Sequence, residues 1–294
     1  MPTAEKMTVK EFFARFPDDD ACLAHIMEVR FGLRHDCRKC GTVEATFHKI
    51  AGRKAYACAH CGDHLYPCAG TIFQDSRTSL QSWFYAIYLF VVTRHGVSGK
   101  ELQRTLGVTY KTAWRMGQQI RTLMSNADEF EMMRGHVELD EAYVGGRRSG
   151  GKTGRGAPGK TIVMGLKERG GRMAAFPIQN VKMYSLRNVV TNMVEPGSTV
   201  STDELASYNL LPWDGFNHGR VSHAKKEYAR RDANGVNHHV NNVESFWRLF
   251  KKSIAGTHIH VSPKYMSRYL NEFTYRANHR DQQNAMFDLL IAAV

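Results

Sequence analysis

Two C-x-x-C turns, CRKC at Cys37–Cys40 and CAHC at Cys58–Cys61, stand 17 residues apart in this chain. Two such turns at this distance offer four thiolates to one tetrahedral zinc ion, each turn acting as a knuckle. Four sulfurs close the coordination shell. The metal expected at Cys37, Cys40, Cys58 and Cys61 is therefore one structural Zn2+, and the expected fold over residues 35–75 is a small zinc ribbon. His60 and His64 lie close enough in sequence to compete as ligands. Cys22 and Cys68 have no C-x-x-C partner and read as small buried apolar side chains. Six cysteines in 294 residues are too few for a disulfide-built scaffold, so a reducing, cytoplasmic setting is expected.

Charge narrows the class of partner. Forty Lys and Arg against 28 Asp and Glu leave a formal charge of +12, which points to a polyanion: nucleic acid before an anionic membrane. The opening MPTAEKMTVKEFFARF is charged and mixed, unlike a secretory signal. The most apolar run, SWFYAIYLFVV at 82–92, is about half as long as a bilayer span and reads as a buried helix. No membrane partner is expected.

Periodicity divides the chain further. A helical lead-in over 1–34 is broken near Pro17, the ribbon follows, and 76–130 is helical. Within that stretch, SGKELQRTLGVTYKTAWRMGQQIRTLM (98–124) reads as helix, tight turn at Leu106-Gly107-Val108, then helix. Leu102, Leu106, Val108, Ala113, Trp114 and Met116 supply a small core. The second helix would offer Lys111 and Arg115 to a DNA major groove; an ordinary helical hairpin is the plainer alternative.

Beyond Gly135 the texture changes to strands: HVELDEAYV, TIVMGLKE and RMAAFPIQNV, the last two joined at Gly170-Gly171. A helix (YSLRNVVTNMV), a strand (STVSTDE) and a short strand near GRVSHAK precede a long helix from about 241 to 254. One more helix is expected to open with Ser262 as N-cap and Pro263 at its first position. The whole reads as an α/β domain over 131–294.

Asp140 lies on the opposite face of its strand from Val137, Leu139 and Tyr143. Asp203 closes a second β-rich run. On the long helix, Asn241, Glu244, Arg248 and Lys251 line a polar face beside the apolar stripe of Val243, Phe246, Trp247, Phe250 and Ile254. Three carboxylates so delivered suit hard divalent cations, although each acid alone is more often a solvated surface charge. The glycine-rich loop 145–160 carries Arg147, Arg148, Lys152, Arg155 and Lys160, cations for a DNA backbone beside an acidic pocket. His136, His223, His238 and His239 read as surface or supporting residues rather than ligands.

Asp140 in VELDEAYVGG, Asp203 in STDELASY and Glu244 in NNVESFWRLFK, behind a C-x-x-C ribbon, resemble the DDE transposases of bacterial insertion sequences. The closest likeness is to the zinc-ribbon group, insertion-sequence family fifteen-ninety-five, over roughly residues 20–285. The resemblance implies an RNase H-like core, a mixed sheet flanked by helices, in which Asp140, Asp203 and Glu244 hold two Mg2+ or Mn2+ ions. It implies Lys251 as the basic residue seven places after the glutamate, with Asn241 in reserve as third ligand and Arg248 on the DNA. It further implies cleavage and strand transfer at terminal inverted repeats, joining to target DNA, and a dimer or larger assembly on the bacterial nucleoid. A DNA-binding regulator that has lost chemistry and a nuclease of the same fold are the alternatives.

Overall fold

The computed structural model describes residues 7–127, 131–145, 160–283 and 285–294. Arg147, Arg148, Lys152 and Arg155 lie outside the described residues. The chain forms two compact units, Met1–Ala127 with Asp281–Val294, and Asp128–Arg280.

In the first unit, α1 (Val9–Arg15) begins at Thr8, whose hydroxyl accepts from the Glu11 amide while the Glu11 carboxylate answers the Thr8 amide at 2.6 Å. This reciprocal capping box satisfies two of the amides a helix start leaves open. The break at Pro17 is followed by α2 (Asp19–Phe31), capped by Asp18 on the Ala21 amide at 2.8 Å. The ribbon sheet, β1 (Phe47–Lys49), β2 (Tyr56–Cys58) and β3 (His64–Leu65), is antiparallel throughout. The apolar run folds as α3 (Leu80–Val92), with Leu80, Trp83, Phe84, Ile87 and Phe90 buried. Then come α4 (Gly99–Leu106) and α5 (Tyr110–Asn126). Gly107 turns the chain between them at φ 66°, a left-handed conformation that costs glycine no side-chain clash. Among the described residues no helix is long and apolar enough to cross a membrane.

The last 14 residues were expected in the α/β domain, yet they belong to this first unit. The reason is aromatic packing. Phe287, on the closing helix Met286–Ala292, is 1 % exposed and its ring meets those of Phe12, Phe16 and Phe84.

The second unit is built on a five-stranded sheet. Its strands are β4 (His136–Val144), β5 (Thr161–Glu168), β6 (Met173–Ile178), β7 (Thr199–Thr202) and β8 (Asn217–Arg220), in the order β6-β5-β4-β7-β8. The β4, β5 and β6 strands run antiparallel, whereas β7 pairs parallel with β4 and β8 parallel with β7, giving the mixed sheet of the expected RNase H-like core. A two-residue pair, β9 (Arg230–Arg231) and β10 (Asn237–His238), stands apart.

Helices cover both faces, so central strands are buried on each side. One face, with Val137, Leu139, Met164 and Leu166, packs on Leu186 and Val190 of α6 (Met183–Met193) and on Tyr208 and Leu211. The other, with Ala142, Val144 and Val163, packs on Val243, Trp247 and Phe250 of α7 (Asn241–Ser253) and on Leu270 and Phe273 of α8 (Met266–Asn278). The alternation of β4 thus holds, and Asp140 shares the α7 side with Ala142 and Val144. One expected cap differs. Ser262 leads a single 3-10 turn, Pro263–Tyr265, and its side chain makes no capping bond, because α8 starts only at Met266.

Candidate functional site

The four ribbon cysteines meet. Their sulfurs all lie within 4.8 Å of one another, with Cys37 Sγ 3.6 Å from Cys61 Sγ and Cys40 Sγ 4.0 Å from Cys58 Sγ. Tetrahedral zinc with Zn–S bonds of about 2.3 Å sets sulfurs about 3.8 Å apart, so the donor set fits that ion. Contacts with the Thr42 hydroxyl and amide lower the Cys40 thiol to about 6, while Cys61, against the Asp63 amide, is pushed up to about 12 by burial and its sulfur neighbours. The cluster therefore does not hold four thiolates together without a cation. His60 and His64 do not join the cluster.

In the second unit three elements deliver the acids. Asp140 comes from the middle of β4, Asp203 from the residue after β7, and Glu244 from the first turn of α7. Parallel pairing of β4 with β7 sets Glu138 beside Ser201, which brings Asp140 and Asp203 to neighbouring positions. Asp203 is 7 % exposed, and its carboxylate accepts from the Leu205 amide at 2.9 Å. Burial, then the negative charges of Asp203 and Glu244, push the Asp140 carboxyl up to about 7, against the Glu141 amide and the Lys251 charge. Asp203, Glu244 and Lys251 thus each bear on the charge of Asp140.

The three carboxylates do not close into a tight shell like that of the cysteines, the one such cluster among the described residues. A hard divalent cation, which takes several oxygen ligands, fits this donor set and would relieve its repulsion.

On α7 the expected division of faces holds: Asn241, Glu244, Arg248 and Lys251 are exposed, while Val243, Phe246, Trp247, Phe250 and Ile254 are buried. In the first unit α5 exposes Tyr110, Lys111 and Arg115 and buries Ala113 and Met116. His223 Nε2 reaches within 3.6 Å of the Glu244 carboxylate. Glu204, not singled out in the sequence, holds it there by accepting from the His223 amide at 2.7 Å. Glu138 was also passed over. It lies two residues before Asp140 on the same face of β4, is fully buried, and turns to the start of α7.

A zinc ribbon in one unit, and in the other a mixed sheet whose acids approach from two strands and a helix, define a protein of the DDE transposase class. Residues 132–278, half of the chain, match the ISXO2-like transposase domain, and residues 17–64 match the transposase zinc-ribbon domain. The chain belongs to the ISXO2-like transposase family.

An uncharacterized protein in transposable element ISH50 of Halobacterium salinarum is 30% identical over 257 residues, spanning 82% of this chain and 83% of its own length. An uncharacterized transposase-like protein of Haemophilus influenzae is 25% identical over 104 residues, 35% of this chain and 79% of its own. A chain of the simian T-cell lymphotropic virus intasome covers 59% of this chain and 63% of its own at 13% identity and a TM-score of 0.29, too slight a likeness to carry an argument.

Proposed function

We propose that this chain binds the terminal inverted repeats of its own insertion sequence and catalyses metal-dependent cleavage and strand transfer of DNA. One observation supports the reading: the β4–β7 register brings Asp140 and Asp203 to neighbouring positions, and the charges of Asp203 and Glu244 both bear on the Asp140 carboxyl, an arrangement a cation would relieve. A pair of magnesium ions, or manganese in their place, held by Asp140, Asp203 and Glu244, would supply Lewis acidity toward the scissile phosphate and the attacking hydroxyl.

The rest is positioning by the protein. Asp140 on β4 and Asp203 just past the end of β7 are carried by neighbouring strands paired in register, which sets them side by side. Glu244 lies on the open face of α7, with Asn241 one turn before it as a reserve oxygen donor. Arg248 and Lys251 follow on that face, and cations there hold phosphate oxygens next to the bond being broken. Cleavage and joining are both in-line displacements at phosphorus, so no covalent intermediate with the protein is required. Lys111 and Arg115 on α5 would grip the duplex, and Arg147, Arg148, Lys152 and Arg155 add charge for its backbone. Holding two ends together takes at least two copies of the chain on DNA.

The test uses DNA carrying the inverted repeats that bracket the gene, with Mg2+ and a target duplex. Nicked ends and joined products are expected. Asp140→Asn and Asp203→Asn should each lower cleavage by about a thousandfold or more, the equivalent of several kcal/mol of lost charge stabilisation, while end binding persists. Retained cleavage in either variant refutes the site. Band shifts without nicks would instead indicate a DNA-binding regulator; nicks without joined products would indicate a nuclease.

A further inference from the structure

Helix α7 starts without a side-chain cap of its own. Val240 holds the capping position and has no oxygen to offer the first amides. They are answered from the sheet. Glu138, 0 % exposed, accepts through Oε2 from the Asn242 amide at 2.9 Å and the Val243 amide at 3.4 Å. Through Oε1 it accepts from Asn242 Nδ2 at 2.8 Å and Arg169 Nε at 2.9 Å. Arg169 in turn donates to the Asn237 carbonyl at 2.6 Å and the His239 carbonyl at 3.2 Å, in the segment leading into α7.

The pair thus holds both the entry to the helix and its first turn. Stability alone does not account for it, since a buried ion pair is often matched or exceeded in stability by apolar side chains of similar volume. Geometry offers a reason. Glu138 and Asp140 are two residues apart on one face of β4, and Glu244 follows two residues after Asn242 on α7. The strand that carries one carboxylate of the site thereby fixes the helix that carries another. Glu138 is not itself placed to bind a cation, because both of its oxygens already accept N–H groups.

We infer that Glu138 is a positioning residue, which with Arg169 seats the start of α7 so that Glu244 faces Asp140. This rests on the transposase reading above. Its effect should resemble that of groups that orient metal ligands from behind, whose loss costs about 10–100-fold in metal affinity or activity.

The test compares wild type with Glu138→Leu/Arg169→Leu and with Glu138→Gln. Melting, end binding, Mg2+-dependent cleavage and hydrogen exchange of the α7 first-turn amides are measured for each. The double variant leaves the first α7 amides without an acceptor and should melt below wild type. At a temperature where both are folded it should bind ends normally, exchange faster at residues 242–244, and cleave about 10–100-fold more slowly. Glu138→Gln keeps an oxygen for the Asn242 and Val243 amides but turns an NH2 toward Arg169 Nε and Asn242 Nδ2, so it should recover only part of that loss. Should the double variant not fold, Asn242→Ala, which deletes a 2.8 Å bond, carries the same two readouts at smaller amplitude.

Wild-type cleavage or unaltered α7 exchange in the disrupted variant overturns the inference. A Glu138→Gln variant as impaired as the double variant also overturns it, since the oxygen held on the α7 amides would then contribute nothing to the seating. A wild type that does not cleave sinks the transposase reading instead, which separates the two failures.

Discussion

Trp247 lies directly against Gly165, the residue paired with Asp140 on the neighbouring strand. A β-carbon at position 165 would come within 2.6 Å of Trp247 Cζ2 and 2.9 Å of Val243 Cγ2. Both of those residues flank Glu244 on α7. The absent side chain lets the helix approach the sheet closely enough for Glu244 to address Asp140. Gly165→Ala should therefore push α7 outward, costing about 1–3 kcal/mol of stability, the usual range for overpacking. Cleavage should fall further than the folded fraction does, at a temperature where both proteins are folded. Equal cleavage per folded molecule would contradict this account.

The ribbon depends on its metal more than on its core. Its strands are two or three residues long, and its buried cluster amounts to Cys37, Ala45 and Cys58 with Phe47 against it. So small a core cannot offset the entropy of ordering the segment. Metal analysis should find one zinc per chain, and a strong chelator or Cys58→Ser should release it. Amide protection over 47–65 should vanish with the ion. Persistent protection in the metal-free protein would show that the sulfurs are not what holds the sheet.

Lys111 and Arg115 present two charges on the open side of α5. If both meet phosphates, Lys111→Ala/Arg115→Ala should weaken end binding at low salt and reduce the steepness of its salt dependence by about two counterions. Non-specific duplex should lose affinity in parallel. An unchanged salt slope would move the duplex off this helix.

Stability should depend on pH in a known direction. His136 is depressed to about 4 by burial and by Arg169 and His238 beside it. His218 is likewise depressed to about 4, by burial and then by Arg220, His238 and Arg230. Both stay neutral in the folded chain while the unfolded chain takes up protons near pH 6.5. Their contribution is complete above that pH and is lost as pH falls from about 6.5 toward 4. Asp140, raised to about 7, works in the opposite sense over much of this range, binding its proton more readily when folded. Two histidines outweigh one aspartate, so without divalent cation the melting temperature of the second unit should drop between pH 7 and 4.5. Asp140→Asn should steepen the drop and His218→Gln should flatten it. A flat profile would refute the histidine assignment.

How much of this could be read from the residues depends on whether the signal is local. The C-x-x-C turns, the alternation placing Asp140 opposite Val137 and Leu139, and the apolar stripe of α7 are local, and each appears in the structure where its period put it. Glu138 gave no such signal. In VELDE it looks like any strand acid, and only the arrival of Asn242 and Arg169 from distant parts of the chain makes it a buried anchor. Gly165 was equally silent, because close approach of Trp247 is a tertiary event. Ser262 shows the reverse failure: a sound capping pattern was overruled when the chain took a 3-10 turn before α8 began.

The closing helix was the other long-range surprise, since nothing in seven residues of apolar pattern says which unit they cover. The Phe287 ring lies 5.5 Å from that of Phe16 and 5.8 Å from that of Phe84, while Arg15 reaches Asp288 at 2.8 Å on the surface nearby. These two contacts should differ greatly in weight. Deleting a buried phenyl ring leaves a cavity and costs about 3–5 kcal/mol. Breaking an exposed ion pair costs about 1 kcal/mol or less. Calorimetry on Phe287→Ala should therefore show a large loss confined to the unit that holds α1 to α5, whereas Asp288→Asn should barely move it. A Phe287→Ala protein whose second unit melts early instead would mean that the last helix serves the sheet domain after all, as its place in the chain first suggested.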